Sequence, residues 1–436
     1  MSNIVQKNVT DKEIINIFWF RNDIRLEDNL ALNKCINEDK PILFVYILEN
    51  RFKTEFVDGN FSQFRKEFIK QGIIDLREQL HQYGQNLIYL EGDPEQEIKK
   101  ISSKINVNKL FCEEIDAPFE KKIIENLKKT GIAIEEVWHS SMYLENQLPF
   151  EIEKLPDVFT HFRKNIEAIK LVPLAPEKLD LKLKKLPIVK CDIQSQEIKL
   201  FQQDFIGDCN IFSEFSGGER NGKKYLEKYF KENYAWIYKQ TRNDLQGKNS
   251  STKFSFWLAH GYLSARQIYN ALKDYENKNG SNESTYWIWF ELLWRDYFRF
   301  LHKKYKTKLY FSNGLGNDRN KNIKHSKANF DAFKNGKTDN QLINAGIREL
   351  KGTGYISNRM RQILASYLIW NLKCDWRGGA DFFQQYLIDF DIYSNQGNWL
   401  YIAGFGTDPR GGRIFNVERQ QTLYDKNKEY QNRWVN

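Results

Sequence analysis

The side chains best suited to chemistry are concentrated in an aromatic run, YWIWFELLWRDYFRF, at residues 286–300. At about 3.6 residues per turn, one face of a helix would carry four of them: Trp287, Glu291, Trp294 and Arg295. A carboxylate and a guanidinium would then lie inside an aromatic wall, which a helix buried only for packing does not need. The alternative is a surface salt bridge flanked by core aromatics.

A second candidate site is the run NSSTKFS at residues 249–255, which precedes an apolar stretch, WLAHGYLS, at 257–264. Small hydroxyls and a lysine ahead of a helix offer donors and a positive dipole end to a phosphate. We therefore predict a helix over 257–264, and the run before it is a candidate phosphate cradle, although the pattern alone favours the simpler interpretation. The alternative is a simple N-cap on a basic loop.

A third segment, SNRMRQ at residues 357–362, opens a predicted helix that continues ILASYLIWNL. Asn358, Arg361 and Gln362 fall on one side of it, and their donors suit a flavin edge, a phosphate or a base. A basic helix start without further function would have the same pattern.

The fourth segment, DFDIYSNQGNWLY, occupies residues 389–401. A turn would explain its Asn and Gly residues, but not two acids beside Trp376 and Trp399. Here the functional interpretation is the stronger one.

Metal chemistry is not indicated by this sequence. Its six histidines are scattered without the i, i+4 pairing of a zinc helix, and its five cysteines lack Cys-x-x-Cys spacing. We expect neither a metal site nor a disulfide framework.

Short apolar runs alternate with helix-period segments between residues 14 and 138, which predicts parallel strands joined by crossover helices. The predicted strands are INIFWF (15–20), PILFVYIL (41–48), NLIYLEG (86–92), KLFCEE (109–114) and EEVWH (135–139). We predict an α/β doubly wound domain over 13–139, a surface connector over 140–215 and an all-α domain over 216–436. Ligands of such a sheet bind at the carboxyl ends of its strands.

Composition excludes several protein classes. The chain has 436 residues, of which 41% are hydrophobic and 15% aromatic, too many for a disordered chain. The formal net charge of +9 admits a polyanionic partner such as nucleic acid. Without an apolar run near the ~20 residues of a membrane span, and with a polar N-terminus, we expect a cytoplasmic, monomeric protein with no membrane partner.

The four segments, in this order after a doubly wound domain, resemble the photolyase/cryptochrome family and most closely its DASH-type cryptochromes. The similarity runs from FWFRNDIRLEDN (18–29) to the segment ending at Val435. Its most specific motifs are FELLWRDYFRF, TGYISNRMRQ, GTDPR and DWRGGADFFQQYLIDFDIYSNQGNWLY.

The resemblance implies that the helical domain holds a folded FAD. The pyrophosphate and ribose would be held by Tyr238, Ser251, Thr252, Lys253, Phe254 and Ser255. Arg295 and Asn358 would wall the cavity, and Arg361 would pair with Asp389 beside the ring. Asp391 would also lie at the ring, and Asn395 would face flavin N5 and favour the reduced, anionic flavin.

The implied activity is light-driven repair of cyclobutane pyrimidine dimers by one-electron transfer from reduced FAD. Glu291 would hydrogen-bond the lesion, Trp294 would stack on the extruded bases, and Arg359 would hold phosphates. Gln362 and Tyr401 replace a Met and a Trp of double-strand enzymes, which implies single-stranded DNA as the preferred partner.

One departure concerns electron supply. Trp399 and Trp376 match the inner and middle members of the family's photoreduction chain, but Phe333 stands where the outer Trp is expected. Phe is very hard to oxidise, so Trp370 or Tyr355 is a candidate substitute.

The resemblance also implies an antenna. Methenyltetrahydrofolate is the usual DASH chromophore, and Glu114 best matches the acidic contact to its pterin, near the segment SSMYLENQLPF (140–150). An empty or different antenna site is the alternative, because the neighbouring residues differ from the family's.

Two functions of different classes remain. Repair is favoured by Glu291 and Trp294, and by a chain that stops two residues after Trp434, where we expect no signalling tail. The alternative is a blue-light photoreceptor or DNA-binding regulator that uses the same flavin. A (6-4) photoproduct enzyme is disfavoured because the histidines of that chemistry have no counterpart near SNRMRQ.

Overall fold

A computed structural model describes residues 8–9, 13–200, 215–247, 249–316 and 325–435. Its N-terminal half contains a parallel sheet of five strands, β2 (Ile14–Phe20), β3 (Ile42–Leu48), β6 (Leu87–Glu91), β7 (Asn106–Glu113) and β8 (Ile134–Val137). The spatial order is β6-β3-β2-β7-β8, which confirms the doubly wound prediction. Strand β3 is buried along its whole length because helices cover both faces of the sheet.

Two small pairings flank this sheet. β1 (Asn8–Val9) pairs with β9 (Ile188–Val189), and β4 (Arg51–Lys53) pairs with β5 (Asp58–Asn60) in a hairpin. The crossover helices are α1 (Leu30–Ile36), α2 (Gln63–Gln82), α3 (Pro94–Ser102) and α4 (Pro118–Lys128). Proline begins α3 and α4, where its missing N–H costs no hydrogen bond.

The C-terminal half is helical, as predicted. Its helices are α6 (Glu219–Lys231), α7 (Tyr238–Thr241), α8 (Ser255–Ala259), α9 (Ala265–Asn279), α10 (Glu283–Tyr305), α11 (Lys327–Lys334), α12 (Gln341–Thr353), α13 (Asn358–Ser366), α14 (Trp376–Tyr386), α15 (Ile392–Ala403), α16 (Val417–Tyr424) and α17 (Glu429–Arg433). A π-helical turn, Tyr367–Asn371, extends α13. No helix in the described ranges is both long and apolar enough to cross a bilayer.

The stretch predicted as a surface connector is partly core. Met142, Tyr143 and Phe162 are fully buried, and Phe162 lies in α5 (Phe159–Ala168). The carboxylate of Asp296 accepts the backbone N–H groups of Met142 and Tyr143 at 2.8 Å, which fastens this stretch to α10. Residues 201–214 of this stretch lie outside the described residues, and the predicted domain boundaries stay a prediction.

The helix predicted over 257–264 is wrong in extent, because α8 ends at Ala259. Gly261 follows with φ 67°, a left-handed conformation that suits glycine. A Cβ placed on it would lie 2.0 Å from the carbonyl oxygen of Asn22. Glycine therefore permits two things at this position: the left-handed turn of the chain, and the close approach of the helical half to the loop after β2.

Candidate functional site

A cavity of about 720 Å³ in the helical half lies between α10, α13, α15 and the loop before α8. It collects nearly every side chain predicted for the site: Tyr238, Ser251, Thr252, Lys253, Phe254, Ser255, Glu291, Trp294, Arg295, Asn358, Arg359, Arg361, Gln362, Asp389, Asp391, Asn395, Trp399 and Tyr401. Four segments far apart in sequence therefore build one cavity. Trp376 and Glu114 do not line it.

The loop before α8 is held in an uncommon backbone conformation. Lys253 has φ 54°, a region that non-glycine residues rarely adopt, yet its side chain is only 7% exposed. Its Nζ donates to the hydroxyl of Tyr355 at 3.2 Å and lies 4.5 Å from the ring centre. This conformation places the Lys253 ammonium in the wall of the cavity.

Helix α10 places a carboxylate, Glu291, and a guanidinium, Arg295, in the wall of the cavity. Oε1 of Glu291 lies 2.6 Å from Nη2 of Arg242, whose guanidinium stacks 4.6 Å from the Trp287 ring. Burial raises the pKa of Glu291, and Arg242 opposes this rise. One turn along, Arg295 donates to the carbonyl of Ser140 at 2.6 Å, while its Nε is buried and lacks a partner in the described structure.

Two acidic residues join α13 to the start of α15. Nη2 of Arg361 donates to both carboxylate oxygens of Asp389, at 2.9 and 2.8 Å. Asp391 caps α15 by accepting the N–H of Ser394 at 2.7 Å. Burial alone would raise the pKa of Asp391, but the nearby guanidinium of Arg295, 4.0 Å away, helps to hold it below its ordinary value. The cavity thus contains fixed charges of both signs.

Of the residues predicted to transfer electrons, some line the cavity and others are buried in the core away from it. Trp399 lines the cavity, and Asn395, one turn earlier on α15, donates to the carbonyl of Ala380 at 3.1 Å. Trp376 is buried at the start of α14 and donates to the carbonyl of Ser312 at 2.7 Å. Phe333 is fully buried and contacts Phe382 at a centroid distance of 6.1 Å, so no oxidisable ring occupies the expected outer position.

The rim of the cavity carries an aromatic corner. Trp294 stacks on Phe159 with ring centres 3.7 Å apart and meets Tyr401 edge-on at 5.7 Å. The Tyr401 hydroxyl accepts a hydrogen bond from Arg413 at 2.7 Å. Because Phe159 covers one face of Trp294, only the opposite face can stack on a ligand.

Three residues were not predicted from the sequence: Arg242 and Arg413, which line the cavity, and Phe159, which packs against Trp294. Arg242 and Arg413 lie in short irregular stretches without a period, and Phe159 belongs to the supposed connector. The predicted Arg359 donates to the Asn243 side chain at 2.8 Å and lies 5.0 Å from the Tyr424 ring. Arg242 and Arg359 are thus brought side by side through Asn243.

Glu114 lies between the two halves of the molecule instead. It follows β7 and faces Lys121 at 3.1 Å and Lys303 at 3.6 Å. Lys303 also pairs with Glu145 at 2.6 Å, so it joins Glu114 to the segment 140–150. The described residues hold no cluster of His, Cys, Asp and Glu that could bind a metal ion.

Comparison with known families gives two matches along the chain. Residues 16–179 match the family model described as DNA photolyase, and residues 287–436 match the model described as the FAD binding domain of DNA photolyase. Together they cover both the parallel sheet and most of the walls of the cavity.

Curated relatives match over nearly the full length. The chain is 38% identical over 433 residues to the cryptochrome DASH of Synechocystis sp., covering 96% of this chain and 87% of the relative. It is 39% identical to the cryptochrome DASH of Danio rerio, covering 96% and 82%.

Solved structures of similar proteins superpose on nearly the whole chain. The crystal structure of the Synechocystis cryptochrome superposes with a TM-score of 0.88 at 36% identity, covering 97% of this chain and 89% of that chain. A bacterial class III photolyase from Agrobacterium tumefaciens superposes with a TM-score of 0.78 at 25% identity, covering 100% and 88%.

Proposed function

The chain belongs to the photolyase/cryptochrome family, and on this premise we propose that it repairs cyclobutane pyrimidine dimers in single-stranded DNA, driven by light. The observation that carries the proposal is a single cavity whose lining includes both Glu291 and Trp294, with Trp294 held in place by its stacking on Phe159. A carboxyl group and a flat ring are the partners that an extruded pair of pyrimidines requires.

The residues of this cavity fit FAD. Its volume of about 720 Å³ lies in the usual range for sites of large ligands. The hydroxyls of residues 250–255 and the strained Lys253 suit a pyrophosphate, and the unpartnered Nε of Arg295 suits an acceptor on the ring system. When bound and reduced, FAD supplies the light-excited electron for dimer cleavage.

The protein's own residues would position the lesion and the cofactor. Arg361 and Asp389 fix each other and present a rigid edge to the ring, while the amide of Asn395 places no negative charge there. Arg359 would hold a DNA phosphate at the rim, and Gln362 and Tyr401 would contact the damaged bases. We assign electron supply to Trp399 and then Trp376 because Trp399 lines the cavity on α15 and Trp376 is buried on α14, the helix to which Asn395 of α15 donates a hydrogen bond.

We assign the antenna, methenyltetrahydrofolate, to the surface around Glu114. Lys303 joins Glu114 to Glu145 there, so carboxylates and a cation are available to a pterin. Fluorescence of folate released from the purified protein, and its loss in Glu114→Ala, tests this assignment.

The function is tested with flavin-reduced protein and a thymine-dimer oligonucleotide, single-stranded and duplex, under blue light and in the dark. We expect dimer loss only in the light and on the single strand. Glu291→Ala should lower the rate at least tenfold, which is about 1.4 kcal/mol of activation free energy. The matched control is Glu283→Ala on the exposed start of α10. If the protein retains reduced FAD but repairs neither substrate, the photoreceptor alternative is favoured.

A further inference from the structure

Glu291, the carboxylate proposed to contact the lesion, already has a cationic partner in the structure. Oε1 of Glu291 lies 2.6 Å from Nη2 of Arg242, and the two side chains are 33% and 17% exposed. Arg242 follows α7 directly and rests on the ring of Trp287, 4.6 Å away. The pair is therefore at the cavity mouth, within reach of a bound strand.

This pairing conflicts with the function of Glu291 proposed above. A carboxylate ion only accepts hydrogen bonds, and the carbonyl oxygens of a pyrimidine dimer are acceptors as well. When the dimer gains an electron, those oxygens become still more negative. A protonated Glu291 could donate to them, whereas an ionised one would repel them. Arg242 favours the ionised form.

The other charges around the cavity do not replace Arg242. On α10 itself, Arg295 is held by the carbonyl of Ser140. Across the cavity, Arg361 is bound to Asp389, Arg413 to Asp408, and Arg359 to the neutral side chain of Asn243. The phenol of Tyr238 also faces Glu291, and burial raises the pKa of this phenol, so it stays neutral. Glu291 therefore depends on Arg242 for its negative charge.

We propose that a backbone phosphate of the bound strand takes Arg242 away from Glu291 and that Glu291 then takes up one proton from water. The inference rests on the proposed function and adds a positioning residue, Arg242, to it. Guanidinium groups bind phosphate in a two-pronged manner and exchange readily between two anions. Burial raises the pKa of Glu291, and removal of its cation raises this pKa further, so the carboxyl then holds a proton more readily. Binding of DNA thus prepares the donor that the lesion needs.

Proton uptake on binding is measured by isothermal titration calorimetry in the dark, at near-neutral pH, in buffers with different ionisation enthalpies. The ligand is a single-stranded thymine-dimer oligonucleotide. We expect the wild-type protein to take up close to one proton per strand, and its affinity to fall up to tenfold per pH unit as pH rises. Glu291→Gln, which donates without titrating, should show no uptake and an affinity independent of pH in this range.

Two arginine variants separate the steps. Arg242→Gln should weaken binding, lower the salt dependence by about one phosphate contact and reduce proton uptake, because without its cation Glu291 holds a proton more readily before DNA arrives. The matched control is Arg359→Gln, which removes a neighbouring cation that pairs with the neutral amide of Asn243. It should weaken binding while leaving proton uptake as in the wild type.

The outcomes distinguish this inference from the proposed function. Light-dependent repair with no proton uptake, or equal uptake by Glu291→Gln and the wild type, would overturn the inference and leave the function standing. Failure of the wild-type protein to bind or repair the dimer would overturn both.

Discussion

The carboxylate of Asp28, which follows β2, accepts hydrogen bonds from the guanidinium of Arg266 on α9. Its Oδ1 lies 2.8 Å from Nη2 of Arg266. Both side chains are almost completely excluded from water, and 238 positions of sequence separate them. The pair thus joins the sheet half to the helical half through a buried charge interaction, close to the turn at Gly261.

Breaking this pair should destabilise the whole protein. Asp28→Asn keeps the shape of the side chain but leaves Arg266 buried without its counter-charge, which costs about 3–5 kcal/mol. The free energy of unfolding, from urea titration followed by tryptophan fluorescence, measures the loss. The control is Glu151→Gln, whose partner Lys154 is 73% exposed, and we expect a change below about 1 kcal/mol there. Equal losses in both variants would contradict a coupling role for Asp28.

The acid stability of the helical half should depend on His260. Burial lowers the pKa of His260 to about 3, and its Nε2 contacts the carbonyl of Ile388 at 2.7 Å. In the unfolded chain the imidazole takes up a proton near its ordinary pKa of about 6.5. Its contribution to stability is therefore present above this value and is lost, by about 1.4 kcal/mol per pH unit, as pH falls towards 3.

This contribution is isolated by comparing variants, because buried acids with raised pKa values act in the opposite direction. His260→Gln retains a donor for Ile388 but does not titrate, so its unfolding free energy should fall less steeply with acid than that of the wild type. His161→Gln, at an exposed position, should follow the wild type. Parallel slopes for wild type and His260→Gln would show that the imidazole is not kept neutral by the fold.

The amide of Asn395 should control how well reduced flavin is retained. Asn395→Asp removes the donor to the carbonyl of Ala380 and brings a negative charge to the ring. We expect the fully reduced, anionic flavin to form less completely and to reoxidise faster, as followed by absorbance under anaerobic illumination. Asn398→Asp adds the same charge at an exposed cavity position on α15 and should have a smaller effect. Equal effects would mean that charge alone, and not its position, matters.

How far the sequence predicts the molecule can be judged from particular residues. The strands were predicted because parallel strands covered on both faces read as continuous apolar runs, such as residues 42–48. Glu291 and Trp294 were predicted because helical periodicity places them on one face of α10. Arg242 and Phe159 were not, since their positions depend on contacts between segments more than 40 residues apart. Local patterns carry no signal for such contacts.

Light-driven reduction of the oxidised flavin should depend on Trp376. Trp376→Phe removes an oxidisable ring from the core behind Trp399, and we expect photoreduction to slow at least tenfold. Repair by chemically reduced protein should be unchanged, because that reaction needs no external electron. Absorbance under blue light with a thiol donor measures the first rate, and dimer loss measures the second. A parallel loss of both would indicate damage to the fold.

The outer step past Trp376 should use Trp370 and not Tyr355. A tyrosine gives up an electron readily only if its proton can leave to an acceptor, but the Tyr355 hydroxyl receives a hydrogen bond from the cationic Lys253. Trp370 needs no such acceptor, is half-buried, and is fixed by a hydrogen bond from its Nε1 to the carbonyl of Ile402 at 3.3 Å, on the helix that carries Trp399. Trp370→Phe should therefore slow photoreduction, while Tyr355→Phe should not. The reverse result, with Trp370→Phe equal to the wild type, would exclude Trp370 from the route.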